Sequence, residues 1–174
     1  MLPLREKAKA IRLLILDVDG VLTSGELYYG PDGEHLKCFH VQDGLGMQLL
    51  QKNGIPIAVI SSKASGMVSY RLTYLGIQHV YLGQDNKLLA YLELKKKLQL
   101  DDEEIAYMGD DLPDLPLLRR AGLSITVPQA PESIRKRVDM ITVREAGKGA
   151  VREVCEFILT AKELYQHVIE SYDL

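Results

Sequence analysis

No apolar run in this 174-residue chain approaches the roughly 18 residues that a bilayer-crossing helix needs. The longest, such as residues 13–16, are the size of single strands. The start, residues 1–10, carries Arg5, Glu6, Lys7 and Lys9 with no following apolar core or small-residue cleavage site, so no secretory signal is expected. Cysteine is scarce. Cys38 and Cys155 form neither a Cys-x-x-Cys pair nor a Cys/His ligand spacing, which leaves two thiols of a cytoplasmic protein as the expectation. Charge of one sign is massed nowhere: the net charge is -3, the basic residues are scattered, and the run Lys95, Lys96, Lys97 reads as a solvated helix face. Neither nucleic acid nor an anionic membrane is an expected partner.

Several phosphate and metal signatures are also missing. Gly147-Lys148-Gly149 has Thr142 where a P-loop needs its first glycine, and no Ser or Thr follows the lysine. Gly44-Leu45-Gly46 lacks the third glycine of a dinucleotide motif. A calcium EF-hand starting at Asp17 would need an oxygen ligand at Val21, glycine at Leu22 and glutamate at Tyr28, and none is there. Repeats, low-complexity tracts and linkers are absent too. With 47% apolar and 26% charged residues, the chain reads as one globular domain over residues 1–174.

What is present begins at residues 11–16, an apolar run that feeds directly into Asp17-Val18-Asp19-Gly20-Val21-Leu22-Thr23. In an extended strand, residues i and i+2 project to one side, so Asp17 and Asp19 are expected to bring their carboxylates into one small volume. Their repulsion calls for a proton, a cation or a positive side chain, and each of these makes a reactive site.

Further strand-length runs at 55–60, 79–82, 105–108, 123–127 and 140–142 alternate with helical periodicity at 45–53, 66–75, 87–98, 112–121 and 150–169. Gly54, Gly76 and Gly122 stand where helices should stop. The alternation predicts an α/β fold, with a mainly parallel sheet flanked by helices. One segment, about residues 24–41, departs from it. Two extended runs flank Gly30-Pro31-Asp32-Gly33 and predict a protruding β-hairpin just after the paired aspartates. Its Leu27, Tyr28, Tyr29, Leu36 and Phe39 are too many for a bare ribbon, and a neighbouring subunit is the expected cover.

Polar groups fall at the carboxyl ends of successive expected strands: Asp17 and Asp19, then Ser61 and Ser62, then Lys87, then Gly109-Asp110-Asp111 with Asp114 three residues on. That edge of an open α/β sheet is where ligands bind. The converging carboxylates call for a hard divalent cation such as magnesium, which leaves positions for a phosphate. In these residues the chain resembles the haloacid dehalogenase superfamily of aspartyl-phosphate enzymes: residues 17–23 look like its first motif, Ser61 its second, Lys87 its third and Gly109-Asp110-Asp111-x-x-Asp114 its fourth.

The resemblance implies a Rossmann-like core and a magnesium-dependent phosphomonoesterase. By it, Asp17 is the nucleophile, Asp19 the general acid and base, and Ser61 and Lys87 hold the phosphoryl oxygens. Asp17, Asp110 and the backbone carbonyl of Asp19 bind Mg2+, and Asp111 and Asp114 support. Residues 23–60 and 62–87 leave no room for a cap domain.

Within the superfamily the text is most similar to capless phosphatases of eight-carbon sugar acid phosphates in lipopolysaccharide precursor synthesis. It shares residues 40–44, Asn86-Lys87, residues 106–111 and residues 149–154 with them. By that similarity His40, Val41, Gln42, Asp43, Gly44 and Arg71 line the sugar-acid pocket with Asp19, Lys63 and Lys87, and hairpins of a homotetramer form a central barrel. Three positions depart from the pattern: Ser61-Ser62-Lys63 stands for Thr-Gly-Arg, Ala146-Gly147-Lys148-Gly149 for Gly-Gly-Arg-Gly, and Gln48 for an arginine. Lysine keeps the charge but not the planar fork of arginine. Phosphatases of a nine-carbon sugar acid 9-phosphate are expected to have glutamate at position 63, which Lys63 opposes. Two rivals remain at this point, a receiver-type domain that keeps its aspartyl phosphate as a signal and a homologue that binds phosphosugars without turnover.

Overall fold

The computed structural model describes residues 2–173. Its centre is a six-stranded parallel sheet of β1 (Leu13–Leu16), β4 (Ile57–Ile60), β5 (His79–Tyr81), β6 (Ile105–Met108), β7 (Leu123–Thr126) and β8 (Met140–Ile141), in the order β5-β4-β1-β6-β7-β8. The hairpin strands β2 (Tyr28–Gly30) and β3 (Gly33–Leu36) form a separate antiparallel pair. Every residue of β1, β4, β6 and β7 is buried, as parallel strands covered on both faces must be.

The helices are α1 (Leu4–Ala10), α2 (Val41–Lys52), α3 (Gly66–Tyr74), α4 (Lys87–Leu98), α5 (Leu115–Leu118), α6 (Glu132–Arg135), α7 (Ala150–Ala161) and α8 (Tyr165–Glu170). α2 packs against α7, which also meets α1, while α4 packs against α5. The chain leaves β1 toward β4 and β5 and then crosses back to β6 on the other side of β1. That reversal opens a crevice at the carboxyl end of β1, where ligands of such sheets sit.

Several elements differ from the sequence expectation. α2 begins at Val41 rather than residue 45, so residues 41–44 form its first turn with His40 as N-cap. The helix expected over 112–121 is a 3-10 turn, Leu112–Asp114, followed by the short α5. Pro113 and Pro116 sit at the starts of these two pieces, where a missing N–H costs nothing. The pattern over 150–169 is two helices, because Glu163 takes the left-handed conformation (φ 62°) between them. The paired part of the hairpin covers 28–36, narrower than 24–41. Among the described residues no helix is long and apolar enough to cross a membrane.

Candidate active site

Parallel register brings the chemistry-bearing residues to one level. Leu16 pairs with Val59 on one side and Met108 on the other, and Asp17 N–H donates to the Met108 carbonyl at 3.0 Å. Asp17, Ser61 and Asp110 therefore leave three adjacent strands together, each one or two residues past the last sheet pair. The paired aspartates are not extended strand, however, because β1 stops at Leu16. Asp17 is buried against Lys87, while Asp19 sits half-buried in the following loop and pairs with Lys37 of the hairpin segment. Gly20 (φ +87°) turns that loop. A Cβ there would lie 2.2 Å from Asp110 Oδ2, so only glycine lets the first and fourth motifs close on each other.

Asp17, Asp19, Ser61, Lys63, Lys87 and Asp110 line one cavity of about 260 Å3, which Asp111 and Asp114 help to close. Lys87, the first residue of α4, is 5% exposed. Its Nζ lies 2.8 Å from Asp17 Oδ1 and 2.7 Å from Asp114 Oδ1, the pairing a buried ammonium requires. Asn86 fixes the start of α4 by accepting from Leu88 N–H.

The Asp114 carboxylate is fully engaged. Oδ1 accepts from Lys87 and from the Tyr107 hydroxyl (2.6 Å), and Oδ2 accepts from the N–H groups of Asp110 and Asp111 (2.9 and 3.2 Å). Burial and the charges of Asp114 and Asp17 hold the Tyr107 phenol well above its ordinary pKa, so it remains a donor. Thr126 donates to the Gly109 carbonyl at 2.7 Å and steadies the same turn.

Asp17, Asp110 and Asp114 place carboxylate oxygens within 4.8 Å of one another. Burial raises the Asp17 carboxyl to about 7, helped by the Asp114 charge and opposed by Lys87. Burial likewise raises Asp110 to about 7, with Asp17 and Asp114 adding to it. This excess of negative charge over one lysine is what a hard divalent cation relieves, so the donor set fits such an ion. Asp114, with four hydrogen bonds, has no oxygen to spare. Asp110 accepts no side-chain hydrogen bond from the described residues and, with Asp17, is left as the donor.

The residues drawn from the family resemblance fall less uniformly. Asp43 is buried in the first turn of α2, and its oxygens accept from the N–H groups of Gly149 (3.3 Å) and Arg152 (2.8 Å) at the start of α7. The structure thus makes it a cap for α7 across the α2–α7 contact, not a group turned to the cavity. Asp43→Ala is expected to cost about 1–3 kcal/mol of stability, read from urea unfolding, because two helix N–H groups lose their acceptor.

Arg71 of α3 lies 6.0 Å from the Phe39 ring centroid and 5.9 Å from that of Tyr74, over Gly44, where a Cβ would meet its Nη2 at 2.4 Å. It has no carboxylate partner among the described residues. His40 Nδ1 is buried without a hydrogen-bond partner among them as well. Val41 is exposed, Gln42 accepts from Arg144 at 3.0 Å, Gln48 is half-buried, and Lys148 pairs with Glu145 at 2.7 Å.

Sequence reasoning passed over Lys37, Tyr107 and Thr126. Lys37 Nζ reaches Asp19 Oδ1 at 2.5 Å and Glu34 Oε1 at 2.9 Å. Eighteen positions separate Lys37 from Asp19, and no local spacing flags a contact set by the path of the hairpin. Tyr107 reads as one more apolar strand residue; its hydroxyl becomes a signal only beside Asp114.

Comparison with known proteins agrees with this geometry. A model of haloacid dehalogenase-like hydrolases matches residues 60–154. The 3-deoxy-D-manno-octulosonate 8-phosphate phosphatase KdsC of Escherichia coli K12 is 46% identical over 156 residues, spanning 90% of this chain and 83% of that protein. The crystal structure of such a phosphatase from Moraxella catarrhalis, in complex with magnesium ion, phosphate ion and KDO, superposes with a TM-score of 0.94 at 46% identity and covers 97% of both chains. A cobalt-bound phosphatase of this kind from Haemophilus influenzae gives 0.88 at 41% identity, over 90% of this chain and 92% of that one. With its four motifs meeting at the carboxyl edge of one parallel sheet, the chain belongs to the haloacid dehalogenase-like hydrolases.

Proposed function

We propose that this protein is a magnesium-dependent phosphomonoesterase that hydrolyses 3-deoxy-D-manno-octulosonate 8-phosphate to the free sugar acid and phosphate. The observation that carries the reading is the single cavity shared by Asp17, Asp19, Ser61, Lys87 and Asp110, a nucleophile, an acid/base group, two oxygen holders and a metal donor. Asp17 attacks phosphorus in line and the bond to the sugar oxygen breaks. Asp19 gives that oxygen its proton and later takes one from the water that cleaves the aspartyl phosphate, returning Asp17 and freeing phosphate. Lys87 at 2.8 Å favours the ionised form of Asp17 and, with Ser61, holds the phosphoryl oxygens. Asp114 keeps Lys87 in place. Magnesium, held by the Asp17 and Asp110 carboxylates and the Asp19 carbonyl, would supply positive charge to the nucleophile and the phosphoryl group.

Lys63, which lines the cavity, and Arg71, which has no carboxylate partner among the described residues, support a carboxylate-bearing substrate. The proposal extends to a capless single domain working in the cytoplasm as a homotetramer. Exposed Leu27, Tyr28, Tyr29 and Leu36 on the hairpin support a covering subunit. A phosphate-release panel tests the substrate. The eight-carbon 8-phosphate is expected to exceed a nine-carbon 9-phosphate and hexose phosphates by about tenfold or more in kcat/KM. Equal turnover of all three, or preference for the nine-carbon acid, would contradict the assignment.

A further inference from the structure

The chemistry just described leaves Lys37 without a task. It follows β3, its side chain is 1% exposed, and its ammonium lies between Asp19 Oδ1 (2.5 Å) and Glu34 Oε1 (2.9 Å). A buried lysine persists only when paired, and here two carboxylates pair it. Asp19 Oδ1 is also approached by the Thr23 hydroxyl, at a long 3.4 Å. Oδ2 accepts no hydrogen bond from the described residues and is left for the cavity that Asp19 lines. One short bond from the hairpin thus fixes an otherwise loosely held side chain. Glu34 keeps Lys37 paired while Asp19 serves the substrate.

We propose that Lys37 is the positioning residue for Asp19: by gripping Oδ1 it holds Oδ2 toward the leaving oxygen. This rests on the phosphomonoesterase reading above. It also ties proton delivery to the order of the hairpin, because the gripping residue is carried outside the main sheet.

The test compares wild type, Lys37→Met and Lys37→Arg in kcat/KM on two magnesium-supported reactions. One uses the sugar acid 8-phosphate, an alkyl ester whose leaving oxygen needs a proton. The other uses p-nitrophenyl phosphate, whose leaving group departs as the anion. Lys37→Met is expected to lose about 10²-fold on the alkyl ester and only a few-fold on the nitrophenyl ester, with Lys37→Arg recovering most of the loss. Magnesium should raise the melting temperature of all three proteins alike. Should Lys37→Met fail to fold, Lys37→Gln carries the test and is expected to give the same split. Equal losses on both esters, or no loss on either, overturn the Lys37 assignment alone. A wild type inert toward both esters overturns the reading beneath it and the assignment with it.

Discussion

Asp17→Asn is expected to lower phosphate release by about 10⁴-fold or more while leaving the metal-free protein at least as stable as the parent. An amide oxygen occupies the same place and still accepts from Lys87, so the buried ammonium keeps an acceptor beside Asp114. It cannot open phosphorus by attack as an anion. Stability moves the other way because Asp17 is a group whose ionised form the fold penalises: burial and Asp114 lift its carboxyl to about 7. Above that pH the parent carries a buried charge that the amide lacks. Loss of turnover with an unchanged or raised melting temperature is the signature of a residue kept for chemistry at the expense of stability. Kinetics and thermal unfolding at pH 8 without added metal measure both halves.

The second large effect is on pH and metal. Asp17 and Asp110 each ionise near 7 in the folded metal-free protein, against 3.8 as the ordinary value. Well below pH 3.8 both states are protonated and nothing is gained or lost. As pH rises from there toward 7, the unfolded chain gives up its protons first, so folding stability falls, and the full penalty stands above 7. For Asp17 alone the shift corresponds to a loss on the order of 4 kcal/mol. A divalent cation takes the place of those protons. Magnesium is therefore expected to raise the melting temperature markedly at pH 8 and hardly at pH 5, and chelation is expected to abolish both turnover and that stabilisation. Unfolding scans at pH 5 and 8, with magnesium or with chelator, decide it. A magnesium effect of equal size at both pH values would contradict the placement of the two carboxylates.

Much of this fold can be read in the text because its central strands are buried on both faces. β6 and α4 fall at the expected residues, 105–108 and 87–98. Continuous apolar runs and a capping asparagine are local signals. The boundaries that shifted depend on contacts distant in sequence. Asp43 in the first turn of α2 makes its bonds to the start of α7, more than 100 residues away. A left-handed Glu163 splits a pattern that periodicity alone carries through.

The candidate site divides along the same line. Asp17, Ser61, Lys87 and Asp110 were legible because strand ends announce them, and the structure draws them into one cavity. Lys37 was not, since a lysine in a hairpin reads as solvated until the ribbon folds it onto Asp19. Asp17 and Asp19 do line one cavity, but not through the strand geometry that expected it. β1 ends at Leu16, before both aspartates, and each finds its own lysine.

The most direct test is to quench the enzyme in acid during turnover with magnesium and the sugar acid phosphate, and to locate any phosphoryl group by peptide mass. One transient phosphoryl group on the peptide bearing Asp17, absent from Asp17→Asn, is the predicted result. Turnover with the phosphoryl group on Ser61 or Asp110, or with none on the protein at any time, would contradict Asp17 as the nucleophile of this site.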